Sequence, residues 1–228
     1  MGYLGNKLQG KYHKDTFQTA VNMAWPAIVE SFFIAFAGLV DSLMVSSLGS
    51  YAVAAVGLTT QPKLLGLAFF FALNVSISAL VARRRGEQRQ GAANETLVTA
   101  LVFIILAAAA FSVGFVAFAS PIIHLCGSTA ETHNGAVTYF RIIMGGMIFN
   151  CIQMGINSAQ RGAGDTLYTA VASMISVTFI RTIVSYLGGY TLGLGIVGIW
   201  FGVLADQMSR FIFATIRFKQ GKWVKIKI

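Results

Sequence analysis

Three carboxylates lie inside long apolar stretches of this 228-residue chain: Glu30, Asp41 and Asp206. A charged side chain surrounded by apolar groups is costly, so it usually faces a protein interior or a wet cavity. A carboxylate in such a place can hold either a proton or a cation, and it can exchange one for the other. We therefore predict that these three acids couple the movement of a cation to that of a proton or ion.

Basic side chains occur in the same stretches and could neutralise the acids. Lys63, Arg141 and Arg181 fall at about the depth of Asp41 when the helical rise is counted along each segment, so they are its predicted charge partners. The same cluster could instead be an ion-pair lock between helices. Arg210 and Lys63 have a further alternative, because their long side chains could reach the lipid headgroups. Glu30 and Asp41 are about three turns apart, which predicts that they face one side of a helix and line one pathway.

Neutral amides accompany the charged residues. They are Gln61 and Asn74 in one apolar stretch and Asn150, Gln153 and Asn157 in another. The last three repeat at helical spacing and form a stripe on one face. A polar stripe in lipid can line a cavity or pack helices together, and the sequence leaves both interpretations open.

Long apolar segments must position these residues. Of all residues, 56% are hydrophobic and 11% charged, with a mean hydropathy of +0.70, a balance typical of membrane proteins. The segment 97–119 has no charged residue and is long enough to cross the hydrocarbon core of a bilayer. The composition therefore predicts an all-α polytopic membrane protein.

Six segments qualify as transmembrane helices: 19–47, 51–82, 92–119, 130–160, 166–187 and 193–216. We expect residues 1–228 to form one six-helix lobe. Residues 1–18 would be an amino-terminal arm, and residues 217–228 a basic tail.

Positive charge marks one side of the predicted bundle. The basic residues flank the termini or follow the second and fourth segments: Lys7, Lys11, Lys14, Arg83, Arg84, Arg85, Arg89, Arg161, Arg217, Lys219, Lys222, Lys225 and Lys227. The opposite loops contain no Lys or Arg. This asymmetry predicts cytoplasmic termini and a multi-pass protein of the inner membrane. It also explains the net charge of +9 through topology and anionic lipids, so no nucleic-acid partner is expected.

Motifs of soluble enzymes are absent from the sequence. It contains no Walker-type loop, no HExxH and no GxSxG, so catalysis is not expected and no catalytic residue is assigned. Cys126 and Cys151 are too few to build a disulfide framework or a metal site, and no cofactor is implied beyond a coupling ion. The amino-terminal segment lacks the pattern of a removable signal peptide.

Several short motifs resemble the multidrug and toxic compound extrusion (MATE) family of transporters. They are AWPA at 24–27, GLVDSLMV at 38–45, LG at 48–49, AAVGL at 54–58 and RGAGDT at 161–166. The resemblance implies two six-helix lobes around a cleft, which export organic cations in exchange for H⁺ or Na⁺. This chain would supply one lobe, so a homodimer would be needed to rebuild the cleft.

The two ends of the chain resemble different parts of that family. The start looks like the first lobe, whereas LGLGIVGIW at 192–200 and ADQ at 205–207 look like the end of the second lobe. An internal deletion that fused the two is our hypothesis for this pattern.

The resemblance also assigns roles to residues. Asp41 matches the first-helix acid of the family's cation site, but the Asn and Asp that complete it in some members would fall where Arg181, Val184 and Ser185 stand. Pairing with Arg181 would keep Asp41 ionised, so Glu30 and Asp206 are the better candidates for coupling.

Three functions are therefore compatible with the sequence. The first is an antiporter for organic cations that works as a homodimer. The second is a truncated or internally deleted scaffold that does not transport. The third is a small uniporter or channel, for which the sequence shows no selectivity motif.

Overall fold

The computed structural model describes residues 12–225, and within that range every regular element is helical. The helices are α1 (Tyr12–Ser46), α2 (Ser50–Gly86), α3 (Gln90–Ala117), α4 (Ala119–Leu125), α5 (His133–Gly145), α6 (Met147–Gly162), α7 (Thr166–Ile175), α8 (Thr182–Tyr186) and α9 (Ile196–Lys219), followed by a 3₁₀ turn at Lys222–Lys225. The all-α class predicted from the sequence is confirmed.

Five helical segments in the described part of the chain are long and apolar enough to cross a membrane. A sixth span results if α5 and α6 are taken together, since they pass the same test as a pair. The predicted polytopic membrane fold is therefore confirmed, although α1 already begins at Tyr12, inside the predicted arm.

The fourth span is bent rather than straight. Helices α5 and α6 meet at an angle of 44°, with Gly146 between them. A Cβ at Gly146 would overlap the side chain of Leu204 on α9, so the missing side chain lets α9 pack into the bend. The preceding connection also differs from the prediction, because the short helix α4 occupies part of the expected loop.

The fifth span runs from Thr166 to Thr191 and contains two π-helical turns. The first turn, Ser176–Arg181, separates α7 from α8, and the second, Leu187–Thr191, follows α8. A π-helical turn rotates the side chains that follow it relative to a regular α-helix, and such turns are frequent at functional sites. Arg181 ends the first of them.

Helix α2 lies at the centre of the bundle and packs against α6 and α3, whereas α1 packs mainly against α7. Large buried side chains such as Phe70, Phe140 and Trp200 fill this core. Helix α9 packs against α6, α8 and both π-helical turns. These packings bring α1, the fifth span and α9 together, which are the elements that carry Asp41, Arg181 and Asp206.

The carboxyl-terminal segment is tied to the bundle. Helix α9 continues to Lys219, into the predicted tail. Trp223 is fully buried and packs against Phe218, and Arg85 at the end of α2 donates to its carbonyl oxygen at 3.4 Å.

Candidate functional site

Two of the three predicted acids and four of the five predicted amides border two cavities. The larger one, here the Glu30 cavity, has a volume of about 480 Å³ and lies between α1, α2, α6, the fifth span and α9. The smaller one, here the Lys63 cavity, has a volume of about 230 Å³ and lies between α1, α2, α5, the fifth span and α9.

Glu30 forms an ion pair at the wall of the Glu30 cavity. Arg161, at the end of α6, donates through Nη2 to both carboxylate oxygens, at 2.8 and 2.7 Å. The side chain of Glu30 is only 6% exposed, whereas that of Arg161 is 40% exposed. The acid is therefore enclosed by the protein, while the arginine side chain is partly exposed. The sequence placed Arg161 only among the loop charges, because 131 residues separate the two partners.

Four of the five predicted amides line the Glu30 cavity: Asn74, Asn150, Gln153 and Asn157. Asn74 is buried, and neither its amide nitrogen nor its amide oxygen has a hydrogen-bond partner in the described structure. Apolar side chains, among them Phe71, Val75 and Met154, complete the wall. The cavity therefore offers hydrogen-bond donors and acceptors beside an acid, on an otherwise apolar surface. This is the usual chemistry of a site for a small organic ligand.

The fifth amide lies elsewhere. Gln61 is exposed and borders a separate surface depression with Leu65, Ile122 and Leu125. Its position on α2 is 13 residues before Asn74, so helical geometry turns the two side chains to different faces. Arg141 is also exposed, and it makes no ion pair within residues 12–225. The structure therefore does not bring these two predicted residues into either cavity.

Asp41 contacts Arg181 in a direct ion pair at the Lys63 cavity. Lys63, Tyr139 and Trp200 line the same cavity, and the Tyr139 and Trp200 rings lie 4.8 Å apart between centroids. Lys63 is half-buried and lines this cavity, as expected of a residue near Asp41.

Asp206 is the most deeply buried acid of the group, with a side chain that is 1% exposed. Arg210, one turn later on α9, binds both of its oxygens and donates from Nε to Oδ1 at 2.8 Å. Ser176 donates to Oδ1 at 2.7 Å, and Arg181 lies 3.8 Å from Oδ2. The alternative in which Arg210 reaches the headgroups is therefore wrong, because its guanidinium is held by Asp206. The spacing of four residues could have indicated this pair from the sequence.

The ion pairs join the two cavities. Arg210 lines the Glu30 cavity and binds Asp206, and Arg181 extends from Asp206 to Asp41 at the Lys63 cavity. Glu30 and Asp41 therefore do not share one cavity, as their helical spacing suggested. The two cavities are connected instead by side chains of alternating charge: Arg210, Asp206, Arg181 and Asp41.

Another ion pair that the sequence did not predict anchors the loop between α6 and α7. Arg217 donates to both oxygens of Asp165, at 2.7 and 3.1 Å, and its guanidinium lies 4.6 Å from the centre of the Tyr168 ring. Tyr168 in turn donates to the carbonyl oxygen of Phe213 at 3.0 Å. These contacts fix the position of the loop that follows Arg161.

Comparison with known proteins gives concordant results. The MatE family model matches residues 26–187. The uncharacterized transporter YisQ of Bacillus subtilis is 26% identical over 216 residues, which cover 93% of this chain and 47% of the relative. The probable multidrug resistance protein NorM of Thermotoga maritima is 26% identical over 215 residues, which cover 90% of this chain and 44% of the relative. The chain thus spans about half the length of the curated relatives it matches.

Solved structures share the fold. An outward-facing multidrug resistance MATE family transporter of the MOP superfamily superposes with a TM-score of 0.85 at 23% identity, covering 92% of this chain and 47% of the other. A MOP superfamily transporter from Pyrococcus furiosus gives a TM-score of 0.82 at 23% identity, covering 86% and 43%. Since the family model matches more than half of its residues, the chain belongs to the MatE family of membrane transporters, with about half the length of those relatives.

Proposed function

We propose that this chain is one lobe of a secondary transporter that exports organic cations in exchange for H⁺ or Na⁺. Membership of a transporter family supports the class of activity. The relative from Thermotoga maritima, named as a probable multidrug resistance protein, supports a lipophilic substrate. The distribution of Lys and Arg supports cytoplasmic termini and an inner-membrane location.

One observation carries the proposal: Glu30 is held by Arg161 at the wall of an amide-lined cavity of about 480 Å³. This volume falls within the range of roughly 300–1,000 Å³ that is usual for small-molecule sites. An organic cation in the cavity would compete with the guanidinium for the carboxylate. Because the Arg161 side chain is 40% exposed, its charge can turn towards water or headgroups when it is displaced.

Exchange follows from the same carboxylate. Glu30 can be neutralised by Arg161, by an organic cation, by a sodium ion or by a proton, and these alternatives exclude one another at short range. If the acid binds the substrate on one side of the membrane and a proton or Na⁺ on the other, the two movements are coupled. The amides would hold the polar groups of the substrate, while Phe71, Val75 and Met154 contact its apolar part.

A second lobe is needed for a cleft of the family type, and we propose that a second copy supplies it. Helix α1 presents a stripe of exposed apolar side chains at helical spacing: Ile28, Phe32, Phe36, Leu39 and Leu43. Such a stripe can contact lipid or a neighbouring lobe. Because all copies insert in the same orientation, two lobes could pack side by side around an axis normal to the membrane.

The test is dye efflux from proteoliposomes that contain the purified chain, driven by either a pH gradient or a Na⁺ gradient. We expect gradient-dependent efflux that Glu30→Gln abolishes, because the amide carries no charge to exchange. Glu95→Gln is the matched control, since Glu95 is exposed on α3 and outside the Glu30 cavity. Efflux by neither gradient from correctly folded protein would favour the non-transporting scaffold instead.

A further inference from the structure

The Lys63 cavity has a chemistry different from that of the proposed substrate site. Its volume of about 230 Å³ lies below the range of roughly 300–1,000 Å³ for sites that hold drug-sized ligands. Only a small solute, or a single functional group of a larger one, fits such a space. An occupant of this cavity would therefore be smaller than a drug-sized organic cation at Glu30.

Positive charge exceeds negative charge at this cavity. Its charged lining residues are Asp41, Lys63 and Arg181. Asp41 is in direct contact with Arg181, so its charge is already matched. Asp206, the other acid near Arg181, is held by Arg210. Lys63 makes no ion pair or hydrogen bond that involves the described residues, so its charge is left over.

The hydrogen-bond donors of the cavity show the same imbalance. The Nε of Arg181 and the Nε1 of Trp200 are buried and have no acceptor among the described residues, and Trp200 is only 2% exposed. Lysine, arginine and tryptophan side chains have donors and no acceptor. The Oδ2 of Asp41 lacks hydrogen-bond geometry, but it lies against the Arg181 guanidinium and is compensated by charge. Since buried polar groups are normally paired, the residues around the cavity have more donors than acceptors.

We propose that the Lys63 cavity binds an oxyanion, either the carboxylate of a small solute or the phosphate of an anionic lipid headgroup. Lys63 supplies the charge, and the ring of Trp200 forms part of the wall. The Lys63 cavity and the Glu30 cavity lie at opposite ends of the ion-pair series. Binding of an oxyanion therefore does not depend on the proposed transport of cations. An anion there would add negative charge beside Arg181, which also contacts Asp41 and Asp206.

The test measures the thermal stability of the purified chain in nanodiscs of phosphatidylcholine, which carries no net charge. Sodium acetate is titrated into the wild type, Lys63→Met and Lys219→Met. Lys219 is exposed at the end of α9 and outside the cavity, so Lys219→Met is the matched control. We expect acetate to raise Tm in the wild type and in Lys219→Met, because a ligand of the native state stabilises it, and to lose this shift in Lys63→Met.

A second series replaces part of the phosphatidylcholine with phosphatidylglycerol and omits acetate. A Lys63-dependent rise in Tm with acetate identifies a soluble carboxylate, whereas a rise with phosphatidylglycerol alone identifies a lipid headgroup. Equal shifts in all three proteins in both series would overturn the proposal.

A further variant covers the case in which Lys63→Met does not fold. Lys63→Gln keeps a flexible polar side chain but removes the charge, and it should weaken the acetate effect. An unchanged acetate titration in Lys63→Gln would then overturn the proposal. Because no transport is measured, failure here is distinct from failure of the proposed efflux.

Discussion

The central residues of this protein are acids held by arginines. Glu30 is bound by Arg161, and Asp206 is bound by Arg210, Ser176 and Arg181. The two acids differ in how exposed their arginine partners are. Arg161 is substantially exposed and can be displaced, whereas Arg210 and Arg181 are each only 19% exposed. We therefore propose that Glu30 carries out the exchange of cations and that Asp206 has a structural role.

At Asp206 we predict a large loss of stability on removal of the charge. Asp206→Asn leaves the guanidinium of Arg210 buried without its partner, and breaking a buried ion pair in this way typically costs about 3–5 kcal/mol. Equilibrium unfolding in mixed micelles measures the change. The double variant Asp206→Asn/Arg210→Gln should recover part of it, since no unpaired charge remains at position 210. A double variant that is no more stable than the single one would contradict a role for this pair.

Lys63 and Trp200 each carry a polar group that has no partner among the described residues. The unpaired charge of Lys63 at the cavity is the basis for the proposed oxyanion site, and the acetate titration examines it without reference to transport. The sequence singled out Lys63 as a charge in an apolar helix, but it could not show that the neighbouring acid was already occupied by Arg181.

At the scale of elements, the packing of α9 against the fifth span decides where the charges meet. Gly198 on α9 lies against Gly188, and a Cβ at position 198 would overlap the backbone of Gly188 and Gly189. Close approach of two backbones at small residues is a common way to associate membrane helices. The contact holds α9 beside the fifth span, so that Asp206 lies next to Ser176 and Arg181.

This contact predicts that Gly198→Ala is destabilising by about 1–3 kcal/mol, the usual cost of inserting a methyl group into a packed interior. The backbone of Gly188 cannot rotate away as a side chain could. Gly114→Ala on α3 is the matched control, because nothing lies within 4 Å of its added Cβ. The control should be as stable as the wild type or more stable by up to about 1 kcal/mol, since Ala favours a helix over Gly. Thermal unfolding midpoints of the two variants distinguish these outcomes, and equal midpoints would refute the contact.

At the scale of the whole molecule, the number of copies determines whether a cleft can exist. The chain spans about half the length of the relatives it matches. The alignments with those relatives cover 90% or more of this chain. The Glu30 cavity lies within one copy, so substrate binding is expected of each copy, whereas a cleft between lobes needs two.

We predict that the protein is a dimer in the membrane. Native mass spectrometry from nanodiscs should give a mass of twice 24.5 kDa, besides the lipids and the nanodisc proteins. Introducing a charge into the exposed stripe of α1, as in Phe32→Glu, should give the monomer, and the same change at exposed Val102 on α3 should not. A wild-type monomer would favour the non-transporting scaffold over the homodimeric antiporter.

The sequence by itself determined the class of this protein. Long uncharged segments are compatible only with a membrane, and a helix is the structure that satisfies its own backbone hydrogen bonds there. The motifs around Asp41 and at 161–166 identified the family resemblance, which the MatE match confirmed. The acids and most of the amides were found because polar groups are conspicuous in apolar segments.

Only the tertiary structure decided which charges meet. Arg161 and Glu30 are 131 residues apart, and no local periodicity connects them. The pairing of Arg181 with both Asp41 and Asp206 depends on a π-helical turn and on close contact between α9 and the fifth span, features that arise from packing rather than from local preference. Gln61 and Arg141 lie outside both cavities. Depth in a membrane can be counted along a helix, whereas the direction of a side chain towards a neighbour depends on how the helices pack.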